Sequence, residues 1–205
     1  MEFMEAVRRR RMVRAYRDEP ADLAVVERLL DLARRAPSAG FSQGQRFVVV
    51  TEAARRGDIA RLAGEEQYVR RGFRPWLTQA PVHVVVCGDE GAYRARYREP
   101  DKLGPDGRPD IDWLVPYWLV DAGASLMVLL LGAVDAGLAA GFLGVHRIPG
   151  LRELLGIPAD VHPIGVVTIG HPDPERSSPS GSRVWRPLDE VVWWERWGGA
   201  RPDGA

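Results

Sequence analysis

Three arginines, Arg10, Arg11 and Arg14, follow a short stretch in which Phe3, Met4 and Val7 recur at helical spacing. A guanidinium group is planar, keeps its charge at any working pH and binds two phosphate oxygens at once. A helix end that runs into an extended segment lets three such groups converge on one phosphate. The run Arg8 to Arg11 also fits a solvated helix end or a basic arm for nucleic acid. The second stretch with chemical potential is Ala36 to Val50, APSAGFSQGQRFVVV. Pro37 cannot continue a helix, and Gly40 and Gly44 accept backbone conformations closed to other residues. Ser38, Ser42 and Gln43 thus place hydroxyls and an amide on a backbone able to approach a ligand closely. Such a loop suits a polar, planar or phosphorylated small molecule, although the same composition also serves a plain helix-to-strand connection.

A third group, Tyr68, Phe73 and Trp76, is interleaved with Arg70, Arg71 and Arg74. Core packing accounts for single aromatics. So many arginines beside them equally suggest the lining of a substrate pocket. Other chemistries fare poorly. His83, His146, His162 and His171 are scattered without ligand spacing, and a single cysteine, Cys87, cannot build a thiolate metal site. There is no G-x-S-x-G, no Walker loop and no G-x-G-x-x-G after the first strand. Cys87 lies in the apolar run Val82 to Cys87 and reads as a buried thiol in a reducing compartment.

The elements that must carry these groups follow from periodicity. Leu23, Val26, Leu29, Leu30 and Ala33 give a 3.6-residue pattern behind Asp22, so a helix docked on a sheet delivers the Pro37 to Gln43 loop. Phe47 to Thr51, Val82 to Cys87 and Pro163 to Gly170 read as buried strands, with Phe142 to Val145 as a further one. Helices are expected over 53 to 63 and over Gly150 to Gly156. Tyr68 to Trp76 reads as irregular. Glu90 to Trp113, rich in charge and turn residues, reads as a loop insertion with a short helix near Ala92 to Tyr97. From Val115 to Gly137 runs an apolar helix that must be buried on all sides, most simply with one face in a second subunit. His171 to Ser182 reads as a linker, and the tail Leu188 to Trp197 carries three tryptophans that seek an apolar surface.

With 205 residues and 45% hydrophobic side chains, one domain with one core is expected over residues 1–205, with a C-terminal arm over 188–205. Basic and acidic residues both number 28, so charge makes no case for nucleic acid or an anionic membrane. The N-terminus lacks the apolar region of a secretory signal. The apolar stretch Ala122 to Val134 falls short of the ~20 residues that span a bilayer. A soluble, cytoplasmic protein is expected.

Taken in order, Arg10-Arg11-Met12-Val13-Arg14, the Pro37 to Gln43 loop, Asp121-Ala-Gly-Ala, Gly137-Leu138, Gly141-Phe-Leu-Gly144 and Arg183-Val-Trp-Arg-Pro-Leu188 resemble the flavin-dependent nitroreductase family over about Met4 to Trp197. The resemblance implies an α+β, three-layer sandwich with a mostly antiparallel central sheet flanked by helices, in an intertwined homodimer. It implies FMN held between two subunits, with NADH or NADPH as electron donor and a small-molecule acceptor. It gives the phosphate to Arg10, Arg11 and Arg14, completed by Arg183 and Arg186. Pro37, Ser38, Ala39 and Gly40 approach the ribityl chain and ring, Gln43 donates its amide, and backbone N–H groups from Gly141, Phe142, Leu143 and Gly144 face the N5 region. No side chain is implied as catalytic, since the flavin carries the chemistry.

Departures from the family pattern narrow this reading. Phe41 stands where an asparagine is common and is placed to shape the pocket over the ring. Met12 stands where serine is usual. The branch that fragments FMN to make dimethylbenzimidazole has an aspartate there and a serine near Gly144, so that specialised reaction is not expected. The reading expected first is an NAD(P)H oxidoreductase acting on a nitroaromatic, quinone or enone. A flavin store or sensor without turnover, and an oxidase acting on a small metabolite or peptide, stand as alternatives.

Overall fold

The computed structural model describes residues 1–109, 111, 113–173 and 184–202. Four strands, β1 (Gln45–Val50), β2 (Val82–Asp89), β3 (Ala139–Gly144) and β4 (Val161–Gly170), form one sheet in the order β1-β2-β4-β3, antiparallel throughout. The apolar runs in β2 and β4 are continuous rather than alternating because both faces of the sheet are covered. Val82, Val84, Val86, Val167 and Ile169 point to one core, shared with α2 (Leu23–Ala33) and α7 (Tyr117–Asp135). Val85, Cys87 and Val166 point to the other, shared with residues of α3 (Ala53–Leu62) and α8 (Leu151–Leu155). Helix, sheet, helix makes three layers, as expected.

α2 begins where Asp22 accepts a hydrogen bond from the Ala24 N–H at 2.9 Å, a capping contact that satisfies one of the orphan donors of the first turn. Its apolar stripe, Val26, Leu29 and Ala33, then faces the sheet. α1 (Phe3–Arg9) ends just before the arginine cluster. The stretch expected to be irregular holds two short helices, α4 (Glu65–Arg70) and α5 (Trp76–Gln79). Glu65 makes them possible: it is 6% exposed and accepts from the Leu77 and Thr78 N–H groups at 2.5 and 3.2 Å, which caps α5.

The stretch read as a loop insertion holds the short helix expected near Ala92 to Tyr97 as α6 (Glu90–Arg96), whose N-cap Asp89 accepts from the Ala92 N–H at 3.0 Å. Tyr93 on α6 is completely buried, so the first part of the segment belongs to the body of the fold. α7 also differs from expectation. At 19 residues it is long and apolar enough to cross a membrane, a length the count from Ala122 to Val134 missed. Its Ala122, Ser125, Leu129, Leu130 and Ala133 are buried among α2 and the sheet, whereas Tyr117, Leu119, Val120 and Met127 are between 37% and 50% exposed. The close approach of α7 to the sheet is allowed by Gly88 of β2: a Cβ there would lie 2.2 Å from the Trp118 carbonyl oxygen.

The described chain divides into two compact units, residues 1–174 and 175–205. Within the second, residues 188–190 form one 3-10 turn and Trp193 and Trp197 lie with ring centroids 3.8 Å apart. Most of the expected linker lies outside the described residues.

Candidate functional site

The arginine segment lies along the free edge of β3. Val13 donates its N–H to the Ala140 carbonyl at 3.0 Å, and Tyr16 bridges to Pro172. Only glycine at 141 permits this, since a Cβ there would stand 2.3 Å from the Val13 carbonyl oxygen. The buried Tyr16 hydroxyl meets Thr168 Oγ1 at 2.7 Å and fixes the far end of the segment. Arg14 stacks over Trp76, 5.6 Å from its ring centroid. Among the described residues, Arg10 and Arg11 form no ion pair with a carboxylate, unlike Arg9, Arg34, Arg35, Arg46 and Arg96. A pair of guanidinium groups with no internal counter-charge is suited to an external anion.

The loop from Ser38 to Gly44 is built quite differently. Gly40, Phe41 and Gln43 all have left-handed backbone, with φ of 62°, 58° and 50°. For Phe41 and Gln43 such angles cost about 1–2 kcal/mol each and persist only where surroundings enforce them. Here they do. The Ser38 carbonyl accepts from the Phe41 N–H at 2.8 Å, Ser38 Oγ accepts from the Gln43 N–H at 2.9 Å, and Ser42 Oγ donates to the Ala39 carbonyl at 2.6 Å. The buried Gln45 amide donates to the Ala36 and Pro37 carbonyls at 3.1 and 3.2 Å. The Phe41 ring meanwhile is 74% exposed.

Two groups outside the loop complete its support. Asp121, 8% exposed, accepts from the Ala39 N–H at 2.9 Å and from the Tyr93 hydroxyl at 2.6 Å. Burial, reinforced by the hydrogen bond to that carboxylate, drives the Tyr93 hydroxyl well above its ordinary pKa, so it stays a donor. Arg96 donates to the Gly40 carbonyl at 2.8 Å and grips both Asp101 oxygens at 2.7 Å, which holds Asp101 down at about 2. Tyr93 and Arg96 escaped the sequence reading, which named Asp121 only within the Asp121-Ala-Gly-Ala motif and gave it no role. A signal existed for Asp121: a lone carboxylate inside an apolar helix must find donors.

Not every expected residue is available. Because the Ala140 carbonyl points to Val13, antiparallel alternation turns the backbone groups of Phe142 and Gly144 to the same free edge and those of Gly141 and Leu143 toward β4. Only the first two can present a backbone N–H to a ligand. Trp76 is 5% exposed and packs with Tyr16, Leu77 and Ala80 in the core, so it does not line an open pocket; Tyr68 is half-buried and stacks on the exposed Phe73 at 4.3 Å. Arg183 lies outside the described residues, and Arg186 belongs to the second unit.

Cys87 is buried and its thiol is pushed up to about 12, which removes it as a nucleophile. Among the described residues no cluster could hold a metal. A cleft of about 610 Å³ opens elsewhere, lined by residues that include Asp18, Thr51, Arg56 and Gln79, and shares no residue with either half of the candidate site.

The two halves are far apart within one chain. Gln45, which ends the loop, pairs with Gly88, while Ala140 is in register with Ile169 and so with Val82 at the opposite end of β2. With strands about 4.8 Å apart and a rise of about 3.3 Å per residue, the diagonal is roughly 25 Å. The arginines occupy one corner of the sheet and the loop the opposite one.

A model of the family described as "Nitroreductase family" matches residues 7–171. Among curated proteins, the chain is 28% identical to "FMN reductase [NAD(P)H]" of Bacillus subtilis, covering 83% of this chain and 66% of that one. It is 32% identical to "5,6-dimethylbenzimidazole synthase" of Rhodospirillum rubrum, covering 85% and 84%. A solved nitroreductase family protein of Clostridium difficile superposes with a TM-score of 0.65 at 26% identity, covering 96% of this chain and 99% of that one. By the extent of the family match and by its fold, this chain belongs to the nitroreductase family.

Proposed function

We propose that the chain is an FMN-dependent NAD(P)H oxidoreductase that works as a homodimer on small, electron-poor acceptors such as nitroaromatics, quinones or enones. The observation that carries this reading is the separation of the two halves. A mononucleotide has its phosphate at one end and its ring at the other, and it is too short to join corners roughly 25 Å apart. Two copies placed head to tail bring the arginines of one against the loop of the other. The exposed Tyr117, Leu119, Val120 and Met127 of α7 offer an apolar face for that contact.

In this arrangement Arg10, Arg11 and Arg14 hold the phosphate, and the backbone of Ala39 and Gly40, with Gln43, holds the ribityl chain and ring. The outward N–H groups of Phe142 and Gly144 supply donors to the ring edge where charge changes. The bound cofactor supplies two-electron hydride chemistry between donor and acceptor. The protein's own task is to bind, orient and exclude water, which agrees with the lack of an acid–base pair among the site residues. Phe41 offers a flat wall to an acceptor. The relative named for dimethylbenzimidazole synthesis does not set the function, because Met12 and Gly144 lack the carboxylate and hydroxyl expected of that reaction. Relatives named for NAD(P)H-linked reduction of flavin support the donor.

The test is an absorption spectrum of the purified protein followed by anaerobic addition of NADH and NADPH in separate cuvettes. Flavin bands that bleach with either donor are expected. Bands that persist with both would reject the NAD(P)H assignment, and no bands after addition of excess FMN would reject the flavin.

A further inference from the structure

The loop that carries Ala39 and Gly40 is strained, yet it is held in place by a buried acid that belongs to neither the loop nor the sheet. We propose that Asp121 and Tyr93 are positioning residues that set the shape of the cofactor loop, so that the Ala39 to Gln43 backbone is ready for the flavin before it arrives. The inference rests on the flavin reading above and deepens it.

The loop's conformation is itself costly. Three left-handed residues in a stretch of four relax unless something opposes it. The loop's internal hydrogen bonds tie it to itself and leave its placement on the body undecided. Placement comes from outside the loop, from Arg96 on α6 through the Gly40 carbonyl at 2.8 Å and from Asp121 on α7 through the Ala39 N–H at 2.9 Å, next to the left-handed residues. The same Oδ2 atom accepts a second hydrogen bond, from the Tyr93 hydroxyl at 2.6 Å, which fixes the carboxylate rotamer.

Tyr93 is fixed in turn by close packing under the loop: a Cβ at Gly44 would fall 2.4 Å from Tyr93 Cε2, so only a glycine lets the strand entrance lie on this ring. Trp113 and Trp118 meet the same ring edge-on at 6.3 Å. A carboxylate accepting from a backbone N–H and from a tyrosine in a buried place is strong and directional. The Ala39 N–H is thereby occupied, so the loop's remaining polar atoms and its φ angles are what a ligand meets.

A group that only stabilises the fold would change melting temperature without changing how a bound flavin sits. The readouts are therefore the FMN dissociation constant, by fluorescence quenching, and the visible circular dichroism of bound FMN, which reports the asymmetry around its ring. Asp121→Ala leaves the Ala39 N–H and the buried Tyr93 hydroxyl unpaired and is expected to weaken FMN binding about tenfold or more, with an altered visible spectrum. Asp121→Asn, with its amide oxygen in the place of Oδ2, still accepts from both the Ala39 N–H and the Tyr93 hydroxyl, and is expected to stay within about threefold of the parent.

Tyr93→Phe, which deletes one oxygen from a ring still packed beneath Gly44, is expected to shift the constant about threefold and to alter the spectrum. If Asp121→Ala does not fold, Tyr93→Phe decides. An unchanged constant and spectrum in a folded Asp121→Ala, or in Tyr93→Phe when it decides alone, would overturn the inference. So would an Asp121→Asn as weak as Asp121→Ala, since charge rather than geometry would then be responsible. Failure of the parent protein to bind FMN at all would instead reject the flavin reading, and the two failures are separable in the same titration.

Discussion

The arginine corner and the loop corner do their work by opposite means. At the loop, nearly every polar group is already satisfied: Ser38, Ser42, Asp121, Arg96 and Gln45 all hold backbone in place, and the strain of Phe41 and Gln43 is enforced rather than relaxed. At the arginines, the backbone is laid on β3 by one hydrogen bond from Val13, while Arg10 and Arg11 lack any carboxylate partner among the described residues. The first region is shaped in advance and selects by geometry. The second is charged in advance and selects by electrostatics. Flat, uncharged rings need the former, because little binding energy comes from any one contact. A phosphate needs the latter, since charge-assisted hydrogen bonds tolerate some play.

The largest effect should come from removing charge. Replacing Arg10 and Arg11 together by alanine deletes two charge-assisted contacts worth about 2 kcal/mol each, so FMN affinity should fall about a thousandfold. Titration by fluorescence quenching checks this, with the folded state verified by far-ultraviolet circular dichroism. Arg14 is left in place because its stacking on Trp76 mixes packing with charge. Retention of full affinity would break the comparison at its charged end.

Acid should act on the same corner. His83 in β2 is fully buried and lies in register with Val50 and Thr168, beside the Tyr16 anchor. Its Nε2 donates to the Leu77 carbonyl at 2.8 Å, and its Nδ1 has no partner. Burial depresses its pKa from 6.5 to about 4, with Arg56 adding to the effect and the Leu77 carbonyl opposing it. The folded state thus keeps the ring neutral while the unfolded chain protonates it below 6.5. Stability is fully present above pH 6.5 and is lost as pH falls toward 4, by about 3 kcal/mol at ~1.4 kcal/mol per unit. Urea midpoints between pH 7 and 4 test this, and His83→Gln should flatten the slope over that window.

How much of this was readable in the chain follows from the range of the interactions. The arginines, the Pro37 to Gln43 loop, the four strands and α2 declare themselves through residue type and short periodicity, which are local. The roughly 25 Å between the two corners does not, because the order β1-β2-β4-β3 is set by pairing between strands far apart in sequence. The short helix expected near Ala92 to Tyr97 is α6, which begins two residues earlier because Asp89 as a cap and Glu90 four residues before Arg94 already set its first turn. For Trp76 the arginine neighbours suggest exposure and a pocket. Its burial comes from a partner, Tyr16, sixty residues earlier in the chain.

A smaller effect separates the corners through their glycines. Gly141→Ala drives a Cβ into the Val13 carbonyl, a backbone atom that cannot turn aside. Overpacking of this kind costs about 2 kcal/mol, and the displaced segment carries the arginines with it. Stability and FMN affinity should therefore fall together, as read from a denaturation midpoint and a titration on the same sample. A loss of stability with affinity intact would show that the arginines do not depend on where the segment lies.

Gly40→Ala should do less to the fold and more to the ligand. Its φ of 62° costs an alanine about 1 kcal/mol, and the added Cβ would meet Tyr97 Cε2 at 2.7 Å, the outer part of a side chain that can move. The Arg96 contact to the Gly40 carbonyl does not involve the Cβ and should survive. The melting temperature should thus drop by only a few degrees, while the kinetics of any acceptor that stacks on the neighbouring Phe41 should show a raised KM at nearly unchanged kcat. That split follows from a loop whose backbone is fixed from beneath: the substitution tilts the wall without unseating the cofactor. Equal losses in kcat and kcat/KM would mean instead that Gly40 acts in the transition state, and the loop would then have to be counted with the chemistry and not with its scaffold.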